Sequence, residues 1–111
     1  EPSGPPTDLQ VTDFTPYRMN FTWSPPDMSD MNGVLTEYSV CIKSQYSNFS
    51  LPCLHRFIVP STQTSYMLSD LKPYVNYSLE VRAATVAGFG PQAKFFQRTA
   101  QSGVLINTSS N

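Results

Sequence analysis

Apolar and polar residues alternate along most of this chain. Leu9 and Val11 flank Gln10, and Met19, Phe21 and Trp23 flank Asn20 and Thr22. Tyr38, Val40 and Ile42 interleave with Ser39 and Cys41, while Tyr66 and Leu68 form a short run. Tyr77, Leu79, Val81 and Ala83 alternate with Ser78, Glu80 and Arg82. A period of two places apolar side chains on one face of a half-buried strand and polar ones on the other. Turn chemistry separates the runs at Ser24-Pro25-Pro26-Asp27, Asn32-Gly33, Pro60-Ser61-Thr62, Leu71-Lys72-Pro73 and Gly88-Phe89-Gly90-Pro91. No segment holds apolar residues at helical spacing for three turns. About seven short strands in a chain of this size predict an all-β sandwich.

Composition narrows the setting. The 111 residues suit a single domain, and ten Pro argue against a helix bundle, since each removes a backbone donor. Charged residues make up 14% and hydrophobic ones 40%, a balance that favours a packed core over disorder. The formal net charge of −1 carries no basic excess, so neither nucleic acid nor an anionic membrane surface is an expected partner. No apolar run approaches membrane-spanning length, so direct insertion is not expected either. The stretch shows no cleavable signal peptide, and any address is expected to have been removed or to lie outside it.

Two features point to an extracellular, oxidising compartment. Asn20, Asn48, Asn76 and Asn107 each begin an N-x-S/T sequon with no intervening Pro. With Ser and Thr at 24 of 111 positions, chance supplies about one such site. Cys41 and Cys53 are the two cysteines, and an even count at that spacing suits a disulfide. Two free thiols, or Cys41 facing another module or chain, are the alternatives. Metal binding is not expected, because neither Cys has a partner at ligand spacing and one His cannot complete a zinc site.

The order and spacing of these elements resemble the fibronectin type III module. Pro6 to Val11 looks like its first strand, and Phe21-Thr22-Trp23-Ser24-Pro25-Pro26 looks like strand B with the core Trp and its Pro-rich exit. Leu35, Tyr38 and Val40 match strand C. Leu68, Leu71, Pro73 and Tyr77 match the end of strand E and the tyrosine corner, and Ala83, Gly88 and Gly90-Pro91 match strand F and its exit. The resemblance implies an immunoglobulin-like, seven-stranded sandwich over residues 5–100. Residues 1–4 would be an inter-module linker and residues 101–111 a linker or tail. Trp23, Tyr38, Leu71, Pro73 and Tyr77 would be structural, with the Tyr77 hydroxyl returning to nearby backbone.

The strand register then makes a statement about the sequons. Asn20 and Asn76 sit beside the inward residues Phe21 and Tyr77 and are expected to face water, as a glycan requires. Asn48 falls in the C–C′ connection and Asn107 in the tail. Cys41 has the parity opposite to Tyr38, Val40 and Ile42 and is expected to point outward. With Cys53 at the start of strand C′, the bridge would staple that hairpin, a departure from the family's usual lack of a disulfide.

Catalytic chemistry is not expected. His55 stands without a nucleophile or orienting group at suggestive spacing. Asp27, Asp30 and Asn32 lack the alternate-residue spacing and terminal Glu of an EF-hand loop and are read as a solvated turn. No phosphate-cradling Gly loop precedes a helix, and no cofactor is expected.

Recognition or spacing remains. The connections Pro25–Gly33, Gln45–Pro52 and Thr85–Pro91 are expected to cluster at one end or edge, and Met28, Met31 and Phe89 are candidate contact residues, Phe89 at a loop tip. Of Phe95 and Phe96, one should point outward unless a bulge intervenes. The expected function is a non-catalytic, monomeric spacer and interaction module in a large extracellular adhesion protein or receptor, usherin-like or receptor tyrosine phosphatase-like. Its partners would be neighbouring modules and an extracellular protein ligand. The alternative is a ligand-binding module of a cytokine-type receptor, although the Trp-Ser-x-Trp-Ser box is absent, as is Arg-Gly-Asp.

Overall fold

A computed structural model of the protein describes residues 1–46, 53 and 55–102. The five period-two runs fall in five of seven strands, β1 Thr7–Phe14, β2 Met19–Ser24, β3 Glu37–Ser44, β5 Ser65–Leu68 and β6 Asn76–Thr85, and β4 His55–Pro60 and β7 Gly88–Arg98 complete the set. They build a three-stranded sheet, β1-β2-β5, and a four-stranded sheet, β4-β3-β6-β7, with every pairing antiparallel. The inward residues of both sheets meet in one core that includes Met19, Phe21, Trp23, Tyr38, Val40, Ile42, Tyr77, Leu79 and Val81. Leu71 packs against it half-buried.

Aromatic rings hold the sheets together at two places. Trp23 of β2 meets Tyr38 of β3 edge-on, with centroids 5.3 Å apart. Near the other edge, Tyr66 of β5 lies 4.9 Å from Phe57 of β4. Such pairs add about 0.5–1.5 kcal/mol beyond the area they bury. In the inter-sheet layer Trp23 Nε1 and Tyr38 Oη are buried with no hydrogen-bond partner among the described residues. Burial raises the Tyr38 phenol above its ordinary value, and the adjacent Trp23 indole N–H opposes part of that rise.

The corner between β5 and β6 is pinned from both sides. Lys72 N–H donates to Tyr77 Oη at 2.9 Å, the tyrosine corner that the sequence implies. Thr99, buried after the end of β7, completes it: its hydroxyl donates to Lys72 O at 2.6 Å and accepts from Val75 N–H at 3.0 Å.

Three local expectations are corrected. A four-residue helix, α1 Met28–Met31, interrupts the β2–β3 connection, closed by Asn32 in the left-handed conformation. One turn of helix is too short to register as periodicity. Gly88-Phe89-Gly90-Pro91 is not a turn, because β7 already starts at Gly88 and Phe89 pairs with Ala84, half-buried. Gly88 takes φ +128°, so the hairpin closes tightly over Val86-Ala87 and the rest of the Gly-Pro run joins the strand. Finally, the three long connections do not gather at one end. The register Glu37↔Ala84 and Thr85↔Gly88 puts the β2–β3 and β6–β7 connections together, while Ser44↔Tyr77 puts Gln45 at the opposite pole. Phe96 does point outward, as one of the Phe pair must, and Phe95 is half-buried.

Two outcomes follow for the core. Trp23→Ala should cost about 3–5 kcal/mol in denaturant unfolding, since it removes the largest inter-sheet filler. Tyr38→Phe should be neutral or stabilising, because the neighbouring Trp23 Nε1 already lacks a well-formed hydrogen bond to the hydroxyl that is removed. A raised folded-state value means that the native protein holds the Tyr38 proton more tightly than the unfolded chain. The associated stability is therefore complete below about pH 10 and is lost as pH rises through the higher folded value. Melting curves between neutral and strongly alkaline pH should show a smaller alkaline loss for Tyr38→Phe than for the parent, and equal losses would refute the assignment.

Candidate interaction site

The connections at one pole are organised by the first six residues. Pro2 is under 2% exposed, and Gly4 and Pro6 are also buried. Ser3 N–H donates to Asp30 O at 2.8 Å, and Asn32 Nδ2 donates to Glu1 O at 3.3 Å. A Cβ on Gly90 would come within 2.5 Å of Pro2 O, so only glycine lets β7 and this segment approach so closely. The acidic turn considered as a calcium loop thus has another occupation: Asp30 and Asn32 tie down the segment that precedes β1. Among the described residues no group of three His, Cys, Asp or Glu side chains is placed to hold a metal.

Around this segment stand exposed apolar side chains. Met28 in α1 is 91% exposed and Val86 at the hairpin tip is 97% exposed, with Val34 also exposed between α1 and β3. Met31 is half-buried, and Phe89, in its strand, is no loop-tip anchor. Of the three candidate contact residues, Met28 alone presents a largely free side chain. Val86 and Val34 escaped the sequence reading because single valines in turns carry no pattern. The signal for Val86 was its place between Thr85 and Gly88, where a tight hairpin leaves no cover.

The second feature is the outward face of the four-stranded sheet. Cys41 and Cys53 are disulfide-bonded, with Cα atoms 5.8 Å apart. Cys41 faces away from the core as its parity requires, yet it is 6% exposed rather than open to water. Cys53 also departs from expectation, since it precedes β4, which begins at His55. Ser39, Ser78 and Glu80 share that outward face and are buried too. Their cross-strand neighbours are long: Arg56 stands opposite Cys41, Arg82 opposite Ser39, Phe96 opposite Ser78 and Lys94 opposite Glu80. Such stems cover the short residues between them while their charged heads stay wet. Glu80 lies between two ammonium groups, Lys43 Nζ at 3.4 Å and Lys94 Nζ at 3.6 Å, and accepts from Ser78 Oγ at 3.5 Å.

Of the sequons, Asn20 is exposed on β2, as expected. Asn76 is half-buried at the start of β6, where its backbone N–H donates to Gln45 Oε1 at 2.8 Å. It is less open than its register alone suggested. Asn48 and Asn107 lie outside the described residues. His55 is exposed at the head of β4.

Cys41 and Cys53 close a loop of about a dozen residues, which in the chain-entropy picture stabilises the fold by ~3 kcal/mol. Replacing both by Ser should lower the denaturation midpoint accordingly while leaving the far-UV spectrum of the sandwich intact. A midpoint unchanged by the double replacement would show that the bridge is energetically idle.

Comparison with known proteins places this geometry. The fibronectin type III domain family matches residues 4–98. Rat phosphatidylinositol phosphatase PTPRQ is 34% identical over 93 residues, covering 84% of this chain and 4% of that protein. Mouse receptor-type tyrosine-protein phosphatase F is 34% identical over 96 residues, covering 86% and 5%. Chicken cell adhesion molecule DSCAM is 33% identical over 101 residues, covering 90% and 5%. The chain therefore spans about a twentieth of the curated relatives it matches. Among solved structures, the FN1–FN3 domains of chicken CNTN1 superpose with TM-score 0.75 at 22% identity, covering 90% of this chain and 32% of that one. The FN5 domain of Drosophila Lar gives TM-score 0.67 at 20% identity, covering 92% and 100%. Its relatives are receptors and adhesion molecules whose modules of this type are extracellular and non-catalytic, and this domain is extracellular as well. No helix among the described residues is long and apolar enough to cross a membrane. The family match takes in every strand from β1 to β7, and the chain belongs to the fibronectin type III domain family.

Proposed function

We propose that the domain is a spacer module with a fixed joint, set in the ectodomain of a multidomain adhesion protein or receptor. The observation that carries this reading is the pinned segment before β1. A free linker would leave Glu1–Pro6 in solvent, whereas here Pro2 is buried, Ser3 N–H donates to Asp30 O and Asn32 Nδ2 donates to Glu1 O. The direction in which the chain approaches the sandwich is then set by the sandwich itself. Thr7 pairs with Ser24 and Arg98 with Asn76, so the chain arrives at one pole and leaves the last strand at the other. Modules joined this way run in line.

Met28, Val34 and Val86 surround the arriving segment and are the contact surface for the module that precedes it. Adaptable Met and bare Val side chains suit a small, non-obligate junction. Met31 and Phe89 are half-buried at the same pole and would contribute less to that surface. The domain itself is monomeric in this reading, and catalysis belongs elsewhere in the parent.

Amide hydrogen exchange on the isolated domain tests the joint. The Ser3 amide should exchange slowly, and Gly90→Ala should speed it by displacing Pro2 while the amides of β3 and β6 keep their protection. A Ser3 amide that exchanges at the free-chain rate in the parent sequence would end the fixed-joint reading. The contact surface is tested separately. Met28→Ser with Val86→Ser should alter stability by no more than ~0.5 kcal/mol per site, as exposed substitutions do. It should also broaden the inter-module angle in scattering from the full ectodomain.

A further inference from the structure

We propose that the outward face of the four-stranded sheet binds a linear sulfated glycan. This is independent of the joint at the pole and uses none of its residues.

Five of the seven cations of the chain, Lys43, Arg56, Arg82, Lys94 and Arg98, lie on this one face by register. Only Glu37 and Glu80 share it, which leaves a formal surplus of three positive charges on a chain whose net charge is −1. The other six acids and two cations are spread over the rest of the molecule, so the positive charge is concentrated on this face. Composition hides this because the totals nearly cancel.

The cations differ in what they already do. Lys43 and Lys94 are spent on Glu80. Arg98 stacks on the Tyr74 ring at 4.4 Å and donates to Tyr74 O at 3.2 Å, with no carboxylate beside it. Arg56 and Arg82 are exposed and make no ion pair among the described residues. The uncompensated charge is therefore guanidinium, whose planar fork suits the oxyanions of sulfate or phosphate better than an ammonium does. Outside the cell, a chain carrying many sulfates is the matching polyanion.

The arrangement favours a linear polyanion over an acidic protein. Cations occur on all four strands, whereas the large exposed apolar side chains of this face, Ile58 and Phe96, sit only on the edge strands β4 and β7. A protein interface has the opposite plan, an apolar centre with a charged rim. Arg56 and Arg82 are two strands and two residues apart, about 12 Å at ordinary sheet spacing. That exceeds the ~8 Å Debye length at 0.15 M salt, so the two guanidiniums would each engage a separate sulfate of a ligand lying across the strands. The Asn76 sequon is six residues along β6 from Arg82, roughly 20 Å away, and leaves the Arg56–Arg82 half of the face clear.

The test titrates the unglycosylated domain with a size-fractionated heparin oligosaccharide at about 0.15 M ionic strength, and in parallel with polyglutamate of similar length. Binding to the oligosaccharide, weakening with salt and at least ~10-fold tighter than to polyglutamate, is expected. Arg56→Gln with Arg82→Gln should weaken it by ~10-fold or more, while Arg18→Gln with Lys72→Gln, an equal change in net charge off this face, should weaken it less than ~2-fold. Circular dichroism should show both double variants folded. No binding by the parent domain, equal losses in the two variants, or equal affinity for polyglutamate would each overturn the proposal, the last in favour of an acidic protein partner.

Discussion

The contact between Trp23 and Tyr38 is the constraint on which the rest of this sandwich depends. A chain of this size has only a thin apolar layer with which to hold two sheets about 10 Å apart. Trp23 comes from the middle strand of one sheet and Tyr38 from an inner strand of the other. Their edge-on packing fixes both the spacing and the lateral register of the layers. Phe21 extends the same aromatic row along β2, with its centroid 5.7 Å from that of Trp23. The arrangement has a cost, since two polar atoms are buried without partners. Each such atom offsets something on the order of 1–3 kcal/mol of the gain from packing. The sandwich tolerates this because ring area, not hydrogen bonding, dominates that layer.

Once the layers are fixed, each pole has its own closure. At one, Tyr77 and Thr99 take up the donor and acceptor groups of the Lys72–Val75 turn, which could not otherwise be buried without loss. Tyr74 is held there at φ +55°, an uncommon conformation for an aromatic residue, with Arg98 stacked on its ring. At the other pole the closure is borrowed from the segment before β1. Pro2 fills the space that a larger residue at position 90 would occupy, while Asp30 O accepts from Ser3 N–H and Asn32 Nδ2 donates to Glu1 O. Fold completion and the geometry of the chain's approach are thus the same set of contacts.

Much of this was legible in the chain, and the misses have physical reasons. Period two located β1, β2, β3, β5 and β6 because each has one face in the core, whereas the edge strands β4 and β7 bury too little for alternation to mark them. The tyrosine corner was legible because Leu71, Pro73 and Tyr77 stand at fixed offsets. Thr99 was not, since a lone Thr after a strand has no pattern to reveal the turn it serves. Phe89 was misplaced because Gly-Phe-Gly-Pro carries turn composition, while the ladder between β6 and β7 absorbs it through a shift in register between Arg82 and Ala84. The separation of the long connections was available by counting: antiparallel strands reverse at every turn, so the connections after β2 and β6 share a pole and the one after β3 cannot. The pinned first residues look like a linker by composition, and only packing distinguishes a docked Pro-rich segment from a free one.

Cys41 shows where parity stops being informative. Alternation gives the direction of a side chain and says nothing about what lies over it. On the outward face the short residues Ser39, Cys41 and Ser78 and the acid Glu80 are interspersed with the long side chains Lys43, Arg56, Arg82, Lys94 and Phe96. Ser39, Cys41, Ser78 and Glu80 are buried among these long stems, which shelters the Cys41 half of the disulfide and pairs the central carboxylate with two ammonium groups. That cover has an electrostatic consequence. A stem that shields a neighbour must carry its head outward, so the residues that bury the bridge are also those that make the face positive. Shielding and charge cannot be separated by substitution at Lys43 or Lys94, where the head is engaged with Glu80. At Arg56 and Arg82 they can, because Gln keeps most of the stem and removes the charge.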